Sequence, residues 1–158
     1  MPESASAVAR KTGTEAEELE FEGLSGLLGY CVRRAQGAMH RDFVASLSSL
    51  DLTQKQAATL WLIGANPGVS QVTVAGSLGM DRATMMSLID RLEQRGFVLR
   101  KRSTSDRRRQ ELHLTPAGQT TLRKAKTKIA EHERRFTARF KQSELAALLS
   151  ALRKVAEE

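Results

Sequence analysis

Between Ser70 and Gly96 the chain is punctuated so closely that few folds can accommodate it. Ser70 is suited to cap a short helix whose apolar positions are Val72, Val74, Ala75 and Leu78, and Gly79 ends it. Only the residues SLGMD separate this stretch from a second one, opened by Asp81 and carrying Met85, Leu88, Ile89 and Leu92 at helical spacing. Gly96 stops that helix. The segment FVLRK (97–101) then reads as a strand, and QELHL (110–114) alternates as a returning strand should. The loop between them, roughly 102–109, holds Asp106 and the arginines Arg102, Arg107, Arg108 and Arg109. Two short helices at a glycine turn, followed by a basic hairpin, make a winged helix-turn-helix.

The flanks read as helix. Apolar residues from Leu24 through Leu28, Cys31, Val32, Ala35, Met39, Phe43 and Leu47 to Leu50 step by three and four, predicting one long helix over roughly 21–50. Asp51-Leu52-Thr53 interrupts it, and Thr53 caps the helix TQKQAATLWLIGA. Asn66-Pro67-Gly68 is a turn. Thr115-Pro116 starts a helix of roughly 116–140 with Leu122, Ala125, Ile129, His132, Phe136 and Phe140 on one face, and Ser143 is the expected cap of a last helix. The expected class is α+β, mostly α. Residues 1–20 form a frayed tail, 21–51 an N-terminal dimerisation helix, 52–115 the winged helix-turn-helix, and 116–158 C-terminal dimerisation helices. The end segments have apolar stripes with little in their own chain to cover them, so mutual packing in a homodimer is the economical solution.

Charge is distributed unevenly along the 158 residues, whose formal total is +7. Residues 1–22 hold two basic and six acidic side chains, a balance of −4, whereas 95–109 hold seven basic ones and Asp106, a balance of +6. Such focused positive charge suits a polyanion, because each neutralised phosphate releases condensed counterions. It also suits a merely solvated loop. The single cysteine excludes an internal disulfide and a Cys-rich zinc site. The N-terminus lacks the apolar stretch of a signal peptide, and no apolar run approaches the length of a membrane span, so a cytoplasmic protein is expected.

The second helix of such a pair enters the DNA major groove by its N-terminal residues, here Asp81, Arg82, Ala83, Thr84, Met86 and Ser87. Arg82 can reach guanine or a phosphate, and Thr84 and Met86 can touch a thymine methyl. The hairpin loop is long enough to reach backbone or minor groove, and Asp106 can hold the Arg108 guanidinium in position.

The residues LTQKQAATLWLI (52–63) and VSQVTVAGSLGMDRATMMSLIDRLEQRGFVLRKRSTSDRRRQELHLTPAG (69–118), with flanking helices in order, resemble the multiple-antibiotic-resistance-regulator (MarR) family of transcription factors. DRLEQRG, SDRR and LHLTPAG at these spacings make the resemblance specific; it spans about residues 21–156. It implies an obligate homodimer on a pseudo-palindromic operator, and usually repression relieved by a phenolic or aromatic acid or a CoA thioester. Asp106 and Arg108 match the family's Asp-x-Arg wing pair, whose arginine enters the minor groove. Arg82, Thr84, Met86 and Ser87 fall at base-reading positions; Ser70 and Gln71, opening the first helix of the pair, and Arg91 join the candidate contacts. Position 87, often arginine in relatives, is Ser here, so base preference does not carry over. Arg33, Arg34, His40 and Arg41 bring cation near the family's ligand cleft, as a carboxylate or phosphate-bearing ligand would require, although solvation also explains them.

Other residues have two readings. Arg91 and Arg95 either touch phosphates or pair with Asp90 and Glu93. Met85 falls in register with the core, and Trp61 is read as core with ligand contact as its alternative. Cys31 raises a redox-sensing alternative, but it lies on the apolar stripe, has no resolving partner, and sits about two residues from the place the family's sensors use. No catalytic set, metal site or cofactor motif is found: HERRF (132–136) lacks the second histidine of a zincin, and His40, His113 and His132 fall on different elements with no cluster of acids or Ser/His partners beside them. The rival from another class is a basic helical module that binds acidic protein or anionic lipid.

Overall fold

A computed structural model describes residues 23–103 and 110–157. The expected tail and the wing-loop residues Asp106, Arg107, Arg108 and Arg109 lie outside them. In order the elements are α1 (Leu28–Leu47), α2 (Gln54–Ala65), α3 (Gln71–Ser77), α4 (Arg82–Gln94), β1 (Val98–Arg102), β2 (Gln110–Leu114), α5 (Pro116–Thr137) and α6 (Gln142–Ala156). Single 3-10 turns occupy Leu24–Gly26 and Ser48–Leu50. By contacts the chain divides into two units at Ala35/Gln36, within α1.

The long first helix is shorter than its periodicity predicts. Gly23 is left-handed (φ +82°) and Leu27 extended, which breaks the run, so the regular helix begins only at Leu28. At its far end Asp51 is left-handed (φ +49°) and closes the turn onto Ser48. Thr53 then caps α2 as expected: its hydroxyl accepts from the Gln56 N–H (3.2 Å), and the Gln56 side chain accepts from the Thr53 N–H (3.0 Å).

In the second unit Leu47, Leu60 and Ile63 pack with Val74, Met85, Ile89, Leu92, Val98 and Leu112, and Leu122 and Ala125 of α5 close the same core. α3 and α4 end alike. Gly79 (φ +59°) and Gly96 (φ +70°) each take the left-handed position. The next N–H returns to the helix carbonyl five residues back, Met80 to Ala75 and Phe97 to Leu92, both at 2.9 Å. β1 and β2 pair antiparallel, Val98 opposite Leu114 and Arg102 opposite Gln110. A third segment joins the hairpin through the bridge between Val69 and Leu112, not evident from the sequence, which ties the start of α3 to β2.

The LTPAG sequence explains how α5 is set. Thr115 Oγ1 accepts from the Gly118 N–H (3.0 Å) and donates to the Gly96 carbonyl (2.5 Å). A Cβ on Gly118 would lie 2.0 Å from the Phe97 carbonyl oxygen, so only glycine lets this turn approach β1. Helix α5 ends at Thr137 rather than at 140, which leaves Phe140 exposed instead of on its apolar face. The expected cap of α6 is also corrected: Lys141 occupies that position, its N–H donating to the Glu144 carboxylate (2.8 Å), and Ser143 lies inside the first turn.

Candidate nucleic-acid interface

Helix α4 divides cleanly into two faces. Met85, Leu88, Ile89 and Leu92 are buried, whereas Asp81, Arg82, Ala83, Thr84, Met86, Ser87 and Arg91 are all exposed. Met85 is thus core, as its register predicted. The Asp81 carboxylate accepts from the Thr84 N–H (2.8 Å) and the Thr84 hydroxyl (2.6 Å). These bonds, the hydroxyl's first, hold the Asp81 carboxyl below its ordinary value, so it is charged at the positive helix end. Ser70 caps α3 in the same way, accepting from the Thr73 N–H at 3.1 Å. Gln71 and Val72 of α3 meet Arg82, Ala83 and Met86 of α4 around a groove of about 330 Å³, with Ala75 completing its lining.

The basic hairpin is less free than its charge count suggests. Arg100 donates to both Glu93 and Asp90, which pins β1 to α4. Arg95 donates to the carbonyls of Asp51 (2.5 Å) and Leu50 (3.0 Å) and stacks on Phe97 with its guanidinium 4.7 Å from the ring centroid. Neither pairing expected for Arg95 is found, because Asp90 and Glu93 are taken by Arg100 and Arg95 turns to the loop after α1. Lys101 and Arg102 remain exposed on β1.

The other singled-out residues scatter. Arg33 and Arg34 lie exposed in α1, Arg34 with its guanidinium 5.8 Å from the Tyr30 ring centroid. His40 and Arg41 are exposed further along the same helix. Trp61 is not core: it is 39% exposed, with Lys126 Nζ 4.5 Å from its ring centroid. Helix α2 buries Ala57, Thr59, Leu60 and Ile63 instead. Cys31 is exposed in the single chain, its thiol donating to the Ser25 carbonyl (3.1 Å), rather than buried along the apolar stripe.

A polar network went unseen in the sequence. His132 of α5 is buried between Phe43 and Phe136, with ring centroids 5.4 and 5.1 Å away, and its Nδ1 lies 2.6 Å from Asp42 Oδ2. Arg135 donates to the same carboxylate (2.7 Å) and to the Ser46 hydroxyl (2.5 Å). Arg135 first, and His132 second, hold the Asp42 carboxyl below its ordinary value. His132 thus pairs with Asp42, a contact the sequence did not reveal, and His113 lies 3.5 Å from Glu111. Among the described residues no group of three His, Cys, Asp or Glu could hold a metal, and no helix is long and apolar enough to cross a membrane.

Comparison with known proteins matches this arrangement. The sequence model of the MarR family fits residues 52–109. A transcriptional repressor, CouR, solved on a 23-mer DNA duplex superposes with a TM-score of 0.84 at 41% identity, over 89% of this chain and 100% of that one. CouR bound to p-coumaroyl-CoA gives 0.79 at 39% identity, over 89% and 99%. A protein of Thauera aromatica named as a transcriptional regulatory protein for the hcr operon is 29% identical over 147 residues, 92% of this chain and 89% of that one. PcaV of Streptomyces coelicolor, solved with its natural ligand, gives a TM-score of 0.73 at 31% identity over 84% and 94%. The chain belongs to the MarR family and is a winged-helix transcriptional regulator.

Proposed function

We propose that this protein is a homodimeric repressor, cytoplasmic with the DNA it serves, whose operator is pseudo-palindromic. The observation that carries the reading is the division of α4, whose exposed N-terminal face is free of packing duty while its opposite face anchors the core. In this reading Arg82, Ala83, Thr84, Met86 and Ser87 face bases and Asp81 sets the helix start. Arg91, Ser70 and Gln71 contact the flanks, and the wing (Arg102, Asp106, Arg107, Arg108, Arg109) follows the adjacent minor groove. The two heads would sit about 34–36 Å apart on one face of the duplex.

Segments 21–51 and 116–158 join the two copies. Their support is the exposed apolar residues Leu24, Leu27, Leu28 and Val32 at one end and Leu148, Leu149, Leu152 and Val155 at the other. For the effector, an aromatic acyl-CoA thioester is the class best supported, since CouR is solved with p-coumaroyl-CoA. The α1 cations Arg33, Arg34, His40 and Arg41 suit its phosphates, and Trp61, exposed rather than core, suits an aromatic group. Such a ligand releases DNA only to the extent that it binds the released conformation better.

A gel shift on the DNA upstream of the regulated gene, with Arg108→Ala as control, tests the reading. We expect tight binding to that DNA over non-specific duplex, weakened in the variant. Loss of a phosphate contact lowers the salt slope by about one unit, whereas loss of a base contact mainly costs discrimination. Equal binding to unrelated duplex would overturn the specific-repressor reading, and an undiminished Arg108→Ala protein would overturn the wing assignment.

A further inference from the structure

The groove between α3 and α4 is unusual for a surface meant to read bases by hydrogen bonds. Val72 is 56% exposed and Met86 54% exposed, on two helices whose other large apolar residues, Val74, Met85, Leu88, Ile89 and Leu92, are buried. With Ala75 and Ala83 they give the groove walls of carbon, and Gln71 and Arg82 are its polar members. Thr84 has no proton left to donate, because its hydroxyl is already given to Asp81; beside the acceptor lone pairs of that oxygen it presents a methyl group. Ser87 is too short for a bidentate contact with a base edge.

The geometry points to a methyl-reading pocket: the α3–α4 groove takes the C5-methyl of an operator thymine, while Arg82 and Gln71 read the neighbouring base pairs. This inference rests on the DNA-binding reading above and names what that surface recognises. The thymine methyl is the one apolar group that bases present in the major groove, so an apolar groove at the base-reading end of α4 has one complementary occupant there. Met86 is suited to the task, being unbranched and able to follow a methyl group's position. Specificity then comes from burying a methyl in each half-site, with the arginine and glutamine fixing register beside it.

The experiment begins with selection of bound sites by the full-length protein from a random duplex pool. Thymines of the enriched site are then replaced one at a time by deoxyuridine, which removes the methyl and leaves base pairing intact. One thymine in each half-site should be sensitive, weakening binding about fourfold for one substitution and roughly fifteenfold for the symmetric pair, the value of a buried methyl or two. In Met86→Ala, whose side chain is exposed and outside the core, the thymine–deoxyuridine difference should shrink towards one. An enriched site at which no deoxyuridine matters, or full discrimination retained by Met86→Ala, would overturn the methyl pocket and leave the repressor reading intact. Failure to enrich any site would overturn both.

Discussion

Helices α4 and α6 have the same kind of sequence and opposite surroundings. Each carries an apolar stripe at helical spacing, yet α4 buries Met85, Leu88, Ile89 and Leu92 while α6 buries nothing and exposes Leu148, Leu149, Leu152 and Val155. α4 is also fixed at both ends, by the Asp81 cap and the Gly96 turn, and along its side by Arg100 bound to Asp90 and Glu93. α6 is closed locally, by the Glu144 carboxylate at its first turn and the Glu157 N–H on the Arg153 carbonyl at its last. An amphipathic stripe therefore announces that a helix needs cover, and only the tertiary structure tells whether its own chain supplies it. On the dimeric reading, α6 is completed by a second copy.

The sharpest way to break this comparison is truncation on both helices. Ile89→Ala, in the closed core, should lower stability by about 2–5 kcal/mol in urea unfolding. Leu152→Ala should instead show a loss that grows on dilution, because its cover is another chain. Equal, dilution-independent losses would erase the distinction. Gly118→Ala should follow with about 1–3 kcal/mol, since the added methyl has no room beside the Phe97 carbonyl and α5 must shift. Its thermal midpoint reports whether α5 is as tightly docked to the winged head as the contact implies. Thr115→Ala should cost about 1 kcal/mol by removing the α5 cap, read by the same thermal scan.

The smallest effect concerns the Asp42 network. Its carboxyl is held below the ordinary aspartate value when folded, so its contribution is present above that value and fades as pH falls through the lowered one. Acid titration of wild type and Asp42→Asn should therefore give stability curves that differ near neutrality and converge in strong acid. Curves that stay parallel down to the acid limit would remove the ion pair from the account.

What the sequence made legible was local. Thr53, Ser70, Asp81 and Thr115 each cap the helix that follows, and Gly79 and Gly96 each end one, because these signals act over three or four residues. The Lys141 cap was missed because Ser143 offered a better residue type, while the deciding contact came from Glu144. Pairings across the fold had no such signal. Asp42 and His132 stand 90 positions apart, and nothing in their neighbourhoods marks them as partners. Charge counting placed Arg95 and Arg100 in the basic 95–109 segment without telling what they hold, and tertiary approach commits one to the loop after α1 and the other to α4. Of the candidate interface, the exposed face of α4 was readable from periodicity; the groove it shares with α3 was not, because it depends on how two helices meet.

The central claim is that two copies, joined through their terminal helices, bring two α4 helices to one duplex. Sedimentation of the protein with a duplex carrying its selected site tests it most directly, using wild type and the Leu149→Glu, Leu152→Glu double variant. Two chains per duplex for wild type, and loss of that stoichiometry together with tight binding in the variant, is the predicted result. One chain per duplex, or a variant that binds as tightly as wild type with two chains, would contradict it.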